Sequence, residues 1–110
     1  MDCHYTQKDM VIEKKLYDLV ELILKTPGVY IGEPSLSRLF HFIGGYAFAV
    51  MQLTGYRFYF EREFQAFVIA RFPTKCAINW SEILSEGRTE SQAFDLFRGL
   101  FSEFRTIMGG

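Results

Sequence analysis

Few residues in this chain have the type and spacing that chemistry needs. The two histidines, His4 and His41, and the two cysteines, Cys3 and Cys76, are scattered along the sequence. No CxxC pair or Cys/His spacing gathers them, so no metal site is expected. Ser35, Ser81, Ser85 and Thr89 stand outside any nucleophile motif with a partnered His and Asp, and read as helix caps or solvated hydroxyls. His41 follows Phe40 in the most apolar segment and reads as a hydrogen-bonded core or boundary histidine. Gly44-Gly45 lacks the GxxxxGK[ST] pattern of a phosphate loop. No catalytic or cofactor-binding set emerges, and an enzyme is not expected. The uneven feature is acidic: Glu82, Glu86, Glu90 and Asp95 stand against Arg88 alone. Glu82 and Glu86, four apart, share a face if a helix extends that far. Such a patch suits a basic partner, where charge complementarity speeds association. For Glu90 and Asp95 a structural role at a helix N-terminus competes with that reading. Trp80, the sole tryptophan, is either core or the aromatic anchor of an interface.

Composition bounds the class of protein that must position these groups. With 110 residues the chain reads as one domain, residues 1–110, with frayed ends at 1–8 and 106–110. Twelve phenylalanines promise an aromatic core that needs neither metal nor disulfide to hold it. A net charge of −1 argues against direct nucleic-acid binding. Two distant cysteines read as free thiols, and the polar N-terminus has no signal-peptide core, so a cytoplasmic location is expected. The apolar runs are too interrupted to span a bilayer.

The periodicity predicts an all-α compact bundle of four main helices plus one short one. Residues 10–24 carry an amphipathic stripe, with Glu13, Lys14, Asp18 and Glu21 pointing mostly outward. Thr6 and Asp9 have the spacing of a capping box. Pro27-Gly28 predicts a type II turn with positive φ at Gly28, followed by an extended Val29-Tyr30-Ile31 and a second turn at Gly32. Ser35 caps a helix over 36–54 that is apolar nearly all round, so it is expected at the buried centre, with Thr54-Gly55 as its stop. Gly44-Gly45 in its middle costs about 2 kcal/mol of helix propensity against two alanines. Close packing of another helix, or a kink, would explain the pair. Residues 56–72 predict a third helix ended by Pro73, with a short strand at its start as the weaker reading. Asn79 or Ser81 caps a short helix stopped by Gly87, and Thr89 with Gln92 opens the last helix with a capping box.

Two resemblances bear on function. The 27–32 stretch, Pro-Gly-Val-Tyr-Ile-Gly, looks like the turn before a helix in the ATP-binding domain of gyrase B. That family's Glu and Asp-Asn would fall at Phe42, Gly45 and Tyr46, so its chemical residues are missing and ATP binding is not expected. Taken whole, the chain resembles small bacterial immunity-type proteins of contact-dependent growth inhibition. The match runs through 27–32, then Ser35, Leu36, Leu39, Phe42, Gly45 and Tyr46, then Phe64-Gln65-Ala66-Phe67-Val68, Trp80, Ile83 and Leu84, and 93–97. The resemblance implies a protein that works by binding alone, neutralising a cognate toxin by covering its active site or substrate surface. A nuclease toxin with a basic groove would meet the acidic patch. The contacts it implies are Glu82, Glu86, Glu90 and Asp95, with Trp80 or Tyr56 as aromatic anchors. The alternative is a homodimeric structural or regulatory helical domain without catalytic activity.

Overall fold

The computed structural model describes residues 6–73 and 79–109. It is all-α over those residues, with α1 Gln7–Lys25, α2 Pro27–Tyr30, α3 Leu36–Thr54, α4 Phe60–Arg71, α5 Trp80–Ser85 and α6 Glu90–Ile107. The capping signals act as the sequence predicts. Thr6 Oγ1 accepts from the Asp9 amide while the Asp9 carboxylate accepts from the Thr6 amide. Thr89 and Gln92 do the same at α6, and Asn79 caps α5 through the Glu82 amide. The capping box holds Gln7 and Lys8 in α1, and α6 runs on through Thr106 to Ile107. Met1, Cys3, His4, Cys76 and Gly110 lie outside the described residues.

The turn after α1 differs from expectation. Val29 and Tyr30 are helical, not extended, and Gly28 does not take a positive φ. Pro27 explains this: its fixed φ suits the first helical position, where its missing N–H has no partner to lose. The Ile31 and Gly32 amides both close on the Pro27 carbonyl, and Gly32, at φ +90°, makes the reversal. Residues 55–58 form neither helix nor strand, and α4 starts only at Phe60.

The core is aromatic and centred on α4, α5 and α6. Trp80 is fully buried, stacked on Phe97 at 5.2 Å and edge-on to Phe64 at 5.1 Å and Phe40 at 5.2 Å. Tyr17 brings α1 in, edge-on to Phe60 and Phe101. The stripe on α6, Ala93, Phe94, Phe97, Leu100, Phe101 and Phe104, is buried throughout, as its three-four spacing predicts.

α3 is not the buried centre. Leu36, Leu39 and Ile43 are its buried residues, and none is buried beyond Ile43. Its first half meets α5 and α6, Phe40 against Trp80 and Ser35 and Ser37 against Glu90, whereas beyond Ile43 Tyr46 stacks on Phe58 of the 55–58 segment. A helix of 19 residues runs roughly 28 Å at about 1.5 Å per residue, and it outruns the six-residue α5 beside it.

Candidate functional site

The acidic residues sort by what holds them. Asp18 and Glu21 both bind the Arg105 guanidinium, Glu103 binds Arg71, Asp95 binds Arg98, Glu33 lies beside Arg38, and Glu63 lies beside Arg62. Asp9 closes its capping box, Glu61 accepts from the Trp80 indole at 3.4 Å, and Glu13 is buried among tyrosines. Glu82 and Glu86 differ: among the described residues neither carboxylate has a cation or a hydrogen-bond donor beside it, and both are exposed. Glu82 lies in the first turn of α5, where the helix dipole favours its charge. Glu86 is one residue past the helix in extended geometry, so the shared face is held by a helix end and its cap rather than by a continuous helix.

The other expected contacts are placed differently. Glu90 is turned to internal work: its Oε1 accepts from Ser35 Oγ and from the Ser37 amide, both at 2.9 Å. The Ser37 amide, then the serine hydroxyls, hold its carboxyl below the usual carboxylate range. Glu90 thus ties the start of α6 to the start of α3. Asp95 is exposed but neutralised by Arg98 at 2.7 Å. Trp80 has 0% of its surface exposed and Tyr56 8%, so neither presents a ring to a partner. The Trp80 indole packs between Phe64 of α4 and Phe97 of α6, and burying that much ring area outweighs any gain from exposing it.

Glu13 was expected to point outward, yet it is 2% exposed. Its Oε1 accepts from the Tyr56 hydroxyl and from the Tyr59 amide at 3.3 Å. These bonds join α1 to the irregular 55–58 segment and to the first turn of α4, whose N-cap residue Tyr59 supplies no side-chain cap. Glu13 Oε2 and the Tyr17 hydroxyl are buried without a hydrogen bond of good geometry. Burial pushes the Glu13 carboxyl up, against the pull of Tyr56, and burial also pushes the Tyr17 phenol up. No sequence motif announces this cluster. The available hint is the alternation Tyr56, Phe58, Phe60, which leaves one phenol to find a partner.

His41 is exposed rather than core, with its ring 5.4 Å from that of Phe40. It lines an open groove of about 470 Å³ with Tyr30, Ile31, Ser37, Arg38 and Phe42. Tyr46 is not in that groove; it stacks on Phe58. Among the described residues no three His, Cys, Asp or Glu side chains gather as metal ligands, and no helix is long and apolar enough to cross a membrane. Comparison with protein-family models, with curated proteins and with solved structures gives no match for this chain.

Proposed function

We propose that this protein acts by binding another protein, as an immunity protein that neutralises a cognate nuclease toxin by covering its basic substrate surface. The observation that carries the reading is the isolation of Glu82 and Glu86. Every other described carboxylate has a cation or a hydrogen-bond donor next to it, whereas among the described residues these two have no ion pair and no side-chain hydrogen bond. A basic nucleic-acid groove is the complementary surface, and the rate of encounter is where such charges act most strongly. Asp95 lies close by in sequence but is compensated, and contributes less. Trp80 supports α5 from below rather than touching the partner.

The test is co-expression with the product of the gene next to its own, followed by purification of the pair and a growth assay. A stoichiometric complex that abolishes toxicity is expected, with the E82K/E86K double variant associating at least about tenfold more slowly in low salt. Loss of that difference at high salt would identify it as electrostatic. A toxin that kills in the presence of the folded protein would overturn the reading. Neutralisation that is indifferent to the double variant would move the contact to another face.

A further inference from the structure

The second half of α3 presents an apolar face that nothing in the described chain covers. Exposed residues His41, Gly44, Gly45, Phe48, Ala49, Gln52 and Leu53 recur at intervals of three and four and share one side of the helix. Phe48 is 62% exposed and Leu53 85%. A side chain added at Gly44 or Gly45 would meet nothing within 4 Å, so this chain's interior does not require either glycine. Two glycines in the middle of a helix weaken it, and a surface approached from outside is where bare backbone is useful.

We infer that this face binds a second copy of the same chain, the two α3 helices crossing about a two-fold axis near Gly45 and Ala49. Charge selects this occupant. From Leu39 to Tyr56 the sequence has no Asp, Glu, Lys or Arg. In a two-fold contact the residues nearest the axis meet their own copies, so any charge there would face its like. A charge-free stripe satisfies self-pairing and offers a charged partner nothing to pair with. Shape agrees: the rows Gly45, Ala49, Leu53 and Gly44, Phe48, Gln52 are ridges with a four-residue repeat, the geometry of helices crossing near about −50°. Phe48 of each copy lies over the bare Gly44-Gly45 backbone of the other.

Area sets the strength. Phe48 and Leu53 leave on the order of 250 Å² bare per copy, and with their flanks the contact reaches roughly 500 Å² per copy. A standard permanent interface takes about 800 Å² per partner, so the dimer is reversible, with a Kd on the order of 10 to 100 µM. The inference is independent of the toxin reading, because Glu82 is on α5 and Glu86 just past its end, and α5 packs beside the other half of α3.

Sedimentation velocity over about 1 to 300 µM tests it, a range that brackets such a Kd. The wild type is expected to pass from monomer to dimer, and F48E to raise Kd at least tenfold with an unchanged helical circular dichroism spectrum. G45L, which fills the crossing point while improving helix propensity, should do the same without lowering Tm. A wild type that stays monomeric throughout would overturn the proposal, as would a dimer that both variants leave intact.

Discussion

Glu13 shows how a residue typed as surface by its charge becomes part of the interior. Its spacing placed it with Lys14, Asp18 and Glu21, the outward residues of α1. What the spacing could not convey is that 43 residues later Tyr56 arrives with a hydroxyl to donate. A buried acceptor with two donors is held by the cost of leaving those donors unpaired. E13A is therefore expected to destabilise the fold by about 1–3 kcal/mol in chemical denaturation. E13Q should be milder, because an amide oxygen still accepts from Tyr56. Burial raises the carboxyl in the folded state above its unfolded value, so the native protein holds the proton to higher pH. The contribution of Glu13 is then greatest below the unfolded pKa and declines as pH rises through the folded one. Wild type should consequently lose stability relative to E13Q as pH rises above the usual carboxylate range. Parallel curves for the two proteins would show that Glu13 titrates normally.

The helices were legible in the sequence wherever local chemistry decides them. Thr6 with Asp9, Ser35, Asn79 and Thr89 with Gln92 all cap as their types predict, and the α6 stripe is buried residue for residue. Legibility failed where the deciding partner is distant. The apolar circumference of α3 suggested a central helix, yet burial depends on how far α5 and α6 extend along it, which periodicity does not contain. Pro27 was misread as a turn because proline suits both a turn and a helix start. Trp80 and Tyr56 illustrate the same limit for the candidate site, since residue type gives large rings equal claim on core and interface. That Glu82 and Glu86 have no ion pair among the described residues is likewise not contained in the sequence, since it depends on where the other acids find theirs. At this scale the glycine pair gives a clear expectation. G44A, with open space around it, should stabilise the monomer by about 0.5–1 kcal/mol through helix propensity, measured by thermal unfolding in dilute solution. Glu90 gives the opposite: E90A removes the donors' partner at the start of α3 and should cost about 1 kcal/mol, a typical capping loss. Its folded carboxyl titrates below the unfolded one, so its stabilisation is present above the unfolded pKa and disappears as pH falls through the folded value. The wild-type and E90A stabilities should converge under acid, and a constant gap would mean the carboxylate charge is not what holds the cap.

For the whole molecule, charge and apolar surface are segregated along α3. One end is braced by Glu90 and flanked by the exposed Glu82 and Glu86, and the other carries no charge and exposes Phe48 and Leu53. A dimer formed through that end would leave both acidic ends free, so each assembly would present two copies of the surface carrying Glu82 and Glu86. The exposed ion pairs that link helices, such as Arg71 with Glu103, add little to stability individually, and the aromatic core carries the fold. The enclosure of Trp80 has an optical consequence. As the chain's sole indole, packed among phenylalanines and hydrogen-bonded to the partly buried Glu61, it makes emission excited at wavelengths too long for the tyrosines a signal from one place. A shift to longer wavelength would report water reaching the joint of α4, α5 and α6. A change of intensity without a shift, on adding a partner, would report an event two residues away at Glu82, and the protein therefore carries its own reporter at the surface proposed to matter.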